Sequence, residues 1–210
     1  MRERIATKER MIGAAMELFH LQGIHATTVD QVLEKSGTGK SQFYHYFKNK
    51  EGLIHSVLMT FYSRLTPNGG PVQTKIQSWD DLERWFQRVI DFQKSIRWTR
   101  SCPVGTIGND LAEDQELLRQ DVRLIFELTK KPLADFFSLM KGRGELPADA
   151  NPDTLADFCF TIMQGGMLVS KIKRESAPFE NSVAHALSYL QSLRRTGVKI
   201  SRKDAKPQRV

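Results

Sequence analysis

Gly37-Thr38-Gly39-Lys40-Ser41 is a stretch whose residue types suggest chemistry. Its end looks like a phosphate-binding loop, in which backbone amides cradle phosphates, a lysine reaches the outer ones and a hydroxyl meets magnesium. That pattern needs a glycine five residues before Gly39, and Glu34 stands there. A carboxylate at that point repels phosphate, and Val29 to Lys35 carry the spacing of an amphipathic helix rather than of the buried strand such a loop follows. Nucleotide binding is therefore not expected. His20, His25, His45, His55 and His185 form no HExxH or related metal pair, and no nucleophile-elbow serine occurs. No catalytic residue, metal site or cofactor is expected. Cys102 and Cys159 belong to no CxxC pair and read as reduced thiols.

The same residues make better sense as part of two short helices joined by a glycine turn. Thr28-Val29-Asp30-Gln31 has the spacing of a capping box, with Val29, Val32 and Leu33 as the inner face of the first helix. Gly37 supplies the left-handed residue of a tight turn, and Phe43 and Phe47 point the second helix inward. This is helix-turn-helix spacing, and the second helix of that motif enters the major groove of DNA. Thr38, Gly39, Lys40, Ser41 and Gln42 at its start are small, polar or cationic. Gln42 suits adenine, and Lys40 suits guanine or a phosphate. Thr28 directs a hydroxyl and a helix N-terminus at a phosphate. Lys48 and Lys50 oppose the dipole of the next helix, capped by Asn49, which makes sense if an external anion lies there. Tyr44, His45 and Tyr46 are adjacent and cannot all point inward, so Tyr44 and His45 are expected to face DNA and Tyr46 to pack or cap.

Helical spacing continues on both sides. Ile12, Ala15, Met16 and Phe19 form an earlier helix, with Thr7 as its N-cap and Gly23 as its stop. Leu53, Ile54, Val57, Leu58, Phe61 and Leu65 form a later one. Thr66-Pro67-Asn68-Gly69-Gly70-Pro71 reads as a linker. Beyond it lie patterns on Leu82 to Ile96, on Leu118 to about Met140, on Leu155 to Val169 and on Val183 to Leu190. Pro132 falls inside the second of these and should kink or split it. The 210 residues are 40% hydrophobic and 26% charged, ordinary for a globular protein, and the net charge of +7 fits a polyanionic partner. No apolar run approaches the ~18 residues of a membrane span, and no signal peptide is expected. The stretch from Arg194 onward is basic and aperiodic and reads as a disordered tail.

Residues Thr7 to about Leu58 resemble the DNA-binding domain of the TetR family. The similarity lies in Ala14-Ala15-x-x-Leu18-Phe19-x-x-x-Gly23, in Thr27-Thr28-Val29, in Ser36-Gly37 and in Phe43-Tyr44-His45-Tyr46-Phe47-Lys48-Asn49-Lys50-Glu51-Gly52-Leu53. Gly39 stands where serine is usual and Gly52 where an acid is usual. The resemblance implies Tyr44 and Lys50 on phosphates and Lys40, Ser41 and Gln42 near bases. It also implies an all-α fold of about nine helices: a three-helix helix-turn-helix domain over residues 1–52, an effector-binding and dimerisation domain over 53–195, and the basic tail over 196–210. Ser101-Cys102-Pro103-Val104-Gly105 looks like a Cys-Pro-x-Gly subtype of the family.

Position suggests Trp85, Phe86, Val89, Phe92, Trp98, Cys102, Phe126 and Phe136 as an effector pocket, although an aromatic stripe also suits plain core. The helix carrying Phe158, Phe160, Met163 and Met167 is apolar on more than one side, and Gly166 permits close helix approach. Those residues, with Leu187 and Leu190, are the candidate dimer interface. The function implied is a cytoplasmic, homodimeric repressor released from double-stranded operator DNA by a small-molecule effector. The alternatives are a ligand-independent dimeric DNA-binding protein and an activator of the same fold.

Overall fold

A computed structural model describes residues 2–66 and 75–194, and these are helical with no strand. The nine helices among them are α1 (Arg2–Ala26), α2 (Val29–Ser36), α3 (Lys40–Phe47), α4 (Lys50–Leu65), α5 (Trp79–Ser95), α6 (Pro103–Asn109), α7 (Glu116–Gly142), α8 (Pro152–Lys173) and α9 (Ala177–Leu193). The linker from Pro67 to Pro71 and the basic tail beyond Arg194 lie outside the described residues. None of the described helices is long and apolar enough to cross a membrane.

Two apolar clusters organise the chain. One joins the inner faces of α1 to α4 to Val104 and Ile107 of α6 and to Leu118, Val122 and Ile125 of α7. The other joins α5, α8 and α9 to the second half of α7, with Phe86, Phe136, Phe137 and Phe179 fully enclosed. α7 therefore spans both, and Leu53, Ile54, Val57 and Leu58 of α4 pack with the inner faces of α1 to α3. α7 runs without a break through Pro132, which leaves the helix unsplit. Tertiary packing on both flanks outweighs one lost backbone bond.

Three local expectations change. Thr7 is not the N-cap: it is buried within α1, because the Arg-Glu-Arg-Ile-Ala stretch before it favours helix and carries the start back to Arg2. Gly23 does interrupt α1, with φ 82 and ψ 169, but helical turns resume to Ala26. α6 has no periodic signature, since two of its seven residues are glycine. Packing explains it: a Cβ on Gly108 would lie 3.0 Å from Val122 Cγ1, so the short helix presses its backbone onto α7.

Candidate nucleic-acid interface

Both helices of the turn motif are held at their starts by a glutamine. At α2, the Thr28 hydroxyl accepts from the Gln31 amide at 3.2 Å, and the Thr28 amide donates to Gln31 Oε1 at 2.8 Å. At α3 the first residue of the box is Gly39, so only the reciprocal half exists: the Gly39 amide donates to Gln42 Oε1 at 3.1 Å. Between them Gly37 sits in the left-handed region at φ 62, ψ 43. Ser36 Oγ donates to the Val32 carbonyl at 2.7 Å and meets the Thr38 hydroxyl at 2.7 Å. The turn is thus closed by side chains as well as by backbone, which sets the angle between the two helices.

Phe43 and Phe47 are buried and in ring contact at 5.4 Å, so they anchor one side of α3. The opposite side is open. Gly39, Lys40, Ser41, Gln42, Tyr44, His45 and Lys48 are exposed, Thr38 and Lys50 are half-buried, and Thr28 is exposed beside them. Tyr44 turns its ring edge to Phe43 at 5.3 Å while 57% of its surface stays accessible. Tyr46 is half-buried and packs on the core. Lys40 Nζ lies 3.1 Å from Asp30 Oδ1, both highly exposed, an ion pair of the kind that contributes little and gives way to a phosphate. Burial lowers the Lys50 pKa, a penalty that an adjacent anion would offset.

The loop after α3 has its own constraint. Lys48 ends the helix with φ 64, and Asn49 Oδ1 accepts from the Gly52 amide at 2.8 Å. A Cβ at residue 52 would collide with the Phe47 carbonyl oxygen. Gly52 is therefore required by this tight entry into α4, which explains why the usual acid is absent.

The motif is fastened to the rest of the chain at several points. His20 Nε2 donates to the Ser101 carbonyl at 2.9 Å. Burial keeps the His20 imidazole below its ordinary pKa, opposed by that hydrogen bond and reinforced by Arg100 and Lys171. The Ile24 amide donates to Asp110 Oδ2 at 2.9 Å, at the end of α6. His55 Nδ1 donates to Asp121 Oδ2 at 2.6 Å between α4 and α7, and Gln115 Nε2 donates to Glu51 Oε1 at 2.9 Å. Arg10 Nε also donates to the Ser36 carbonyl at 3.3 Å. None of these long-range partners carries a sequence signal, because each depends on how the helices pack.

The eight suggested pocket residues do not converge on one space. Phe86, Trp98 and Phe136 are buried in the α5–α7–α8–α9 cluster, with Trp85, Val89 and Cys102 at its margin. Phe126 packs against the other cluster and meets Phe160, at the margin of the first, edge-on at 5.1 Å. Phe92 is 60% exposed, because the buried stripe of α5 runs through Leu82, Phe86, Ile90 and Gln93 and turns Phe92 away. Most residues of the suggested interface are engaged within the chain. Met163, Gly166, Met167 and Leu190 are buried within the chain, and Phe160 is spent on Phe126. Gly166 admits the ring of Phe179, so the close approach it permits is between α8 and α9 of one chain. Leu187 and Phe158 are half-buried. On α8 and α9 the large apolar side chains left exposed are Leu168, Val169, Ile172 and Tyr189, with Tyr189 and Phe158 in ring contact at 5.5 Å. Among the described residues no cluster of histidine, cysteine and carboxylate side chains could hold a metal.

Residues 11–57 match the family described as "Bacterial regulatory proteins, tetR family", and residues 79–186 match "Tetracyclin repressor-like, C-terminal domain". The HTH-type transcriptional repressor DhaR of Mycobacterium sp. (strain GP1) is 24% identical over 179 residues, covering 84% of this chain and 88% of that protein. The HTH-type transcriptional repressor ComR of Escherichia coli (strain K12) is 25% identical over 183 residues, 85% of each chain. The fold is shared with the regulatory protein TetR from Rhodobacter sphaeroides, at a TM-score of 0.73 and 22% identity over 86% of this chain and 97% of that one. A TetR-family regulator from Cytophaga hutchinsonii superimposes at a TM-score of 0.77 with 16% identity, over 94% and 99% of the two chains.

Proposed function

This chain belongs to the tetR family of bacterial regulatory proteins, and we propose that this transcriptional regulator is a cytoplasmic, homodimeric repressor whose grip on operator DNA is released by a small-molecule effector. The observation that carries the reading is the two-sided α3: Phe43 and Phe47 lock one side into the core, and an uninterrupted polar face is presented by the other. Lys40, Ser41 and Gln42 contact base edges. Thr28, Thr38, Tyr44, His45, Lys48 and Lys50 bind phosphates, and Gly39 admits the backbone of the duplex. Repressor names among the relatives support the sign of regulation.

The second copy docks on the open α8–α9 stripe of Val169, Ile172 and Tyr189. A two-fold pair places two α3 helices to meet half-sites about one helical turn apart, roughly 34–36 Å. The division we favour is a DNA-binding unit over 1–52, an effector-binding and dimerising unit over 53–195, and the basic segment 196–210 as an auxiliary to DNA affinity. Cys102 begins α6 as its N-cap, its Sγ 3.4 Å from the Gly105 amide, as suits the Cys-Pro-x-Gly subtype.

Release follows from the fastening points. α6 touches α1 through Asp110 and Ile24, and the segment before it touches α1 through Ser101 and His20. An effector that prefers a shifted α6 changes the separation of the two α3 helices, and DNA affinity falls by the ratio of its affinities for the two states. The test is selection of bound duplexes from random sequence. An inverted repeat with half-sites one turn apart is expected, and recovery of no preferred sequence overturns the reading.

A further inference from the structure

We infer that Gln93 is the residue that reads the effector, and that the effector is an uncharged, largely apolar molecule carrying a hydroxyl or N–H donor. The inference rests on the reading above that the C-terminal helices hold a small molecule. Gln93 continues the buried stripe of α5 after Leu82, Phe86 and Ile90, and only 2% of it is accessible. Its Nε2 donates to Met167 Sδ at 3.4 Å. A thioether sulfur accepts and cannot donate, so the amide nitrogen belongs on that side and Oε1 faces the remaining core. Among the described residues no group donates to Oε1, and it is the one buried side-chain N or O atom left so. A buried acceptor without a donor is unfavourable in a core position that leucine or methionine would fill.

A second observation lies one turn onward. Arg97 and Trp98, neither of them glycine, are both left-handed, at φ 53 and φ 55. The Trp98 amide closes this turn by donating to the Gln93 carbonyl at 3.0 Å, and the buried Trp98 ring meets Phe179 edge-on at 6.4 Å. Strained backbone of this kind persists where surrounding packing holds it, and it gathers at ligand clamps.

The chemistry of the surroundings sets the class. Trp98, Met163, Met167 and Phe179 share one apolar cluster, and the nearby charges Lys94 and Glu180 pair with each other outside it at 2.5 Å. An ionised ligand would be desolvated there without a counter-ion, whereas a neutral donor satisfies Oε1. The flexible thioethers of Met163 and Met167 can repack around its apolar part.

The experiment uses the full-length protein and paired probes: phenol against anisole, and cyclohexanol against methoxycyclohexane, with benzoate as the charged control. Binding is read by tryptophan fluorescence and by thermal shift. The hydroxyl member of each pair should bind at least about tenfold more tightly than its methyl ether, one hydrogen bond being the difference, and benzoate should not bind. In Gln93→Leu the ratio should fall to about one, while Tm without probe rises by roughly 2–6 °C as the orphaned acceptor is removed. Gln93→Met supplies the same test with a more adaptable side chain. Equal binding within each pair, binding of no probe, or a preference that survives in both variants overturns the inference. DNA binding without probes is measured in parallel: if it is sound while the probe results fail, the fault lies with Gln93 and not with the regulator reading.

Discussion

The carboxylate of Asp110 occupies the space beside Gly23 that a side chain there would fill. Its Oδ2 accepts from the Ile24 amide at 2.9 Å, and a Cβ built on Gly23 collides with that same oxygen. Gly23, at φ 82, breaks α1 and exposes the amide, and Asp110, where α6 ends, satisfies it. Asp110→Ala leaves the amide unpartnered and should cost about 1–3 kcal/mol in urea unfolding. Gly23→Ala adds left-handed strain and a clash, at about 1–3 kcal/mol. Since removing Asp110 relieves the clash, the double variant should lose less than the sum of the singles. A strictly additive cycle would show that the two residues do not act on one another.

Adjacent glycines of α8 should behave oppositely. Gly166→Ala drives a methyl into the Phe179 ring and should destabilise by about 1–3 kcal/mol. Gly165 is exposed with no neighbour within 4 Å, so Gly165→Ala should be neutral or gain up to about 1 kcal/mol from helix propensity. Ile172→Glu, on the open stripe at 73% exposure, should leave each subunit folded and raise the dimer dissociation constant, read by sedimentation. An unchanged sedimentation profile would place the second copy elsewhere.

Lys50→Ala should weaken binding to all duplexes alike and lower the slope of log affinity against log salt by about 0.9. Gln42→Ala should instead relax preference at one base position, by about 1–3 kcal/mol. Gln42 also closes the α3 cap through Gly39. Equal loss on every sequence would therefore assign Gln42 to capping rather than to reading bases.

The two thiols should differ in reactivity and in their effect on stability. Burial pushes Cys159 up to about 12, while Cys102 is half-exposed. Native protein should react with a disulfide reagent at one thiol, and at two only after unfolding. A folded-state value raised above the ordinary 9.0 favours the protonated thiol. The stability it confers is thus whole below about pH 9 and is lost as pH rises towards 12. Cys159→Ala should flatten that alkaline limb of the stability curve.

What was legible in the chain was local. The Thr28 box, the left-handed Gly37 and the Asn49 cap each depend on residues within four positions, and all three form as their spacing predicts. Those signals, with the inward Phe43 and Phe47, orient the exposed face of α3. Legibility ends where distant segments decide. Thr7 has the chemistry of a cap, but upstream helix formers and core packing enclose it. The α8 stripe of Met163, Gly166 and Met167 is apolar enough for a subunit interface, yet α5, α7 and α9 of the same chain cover it. Gln93 gave no signal, because a glutamine in an apolar pattern becomes informative only when its partners are seen.

The most direct measurement is a titration against duplex DNA from the protein's own upstream region, beside a scrambled duplex, at ~150 mM salt, where nonspecific phosphate attraction is screened. The account predicts a preference of about 10³-fold or more for a site of inverted half-sites, with two subunits bound per site. Equal affinity for both duplexes, joined to a failure of random-sequence selection to enrich any site, would contradict it.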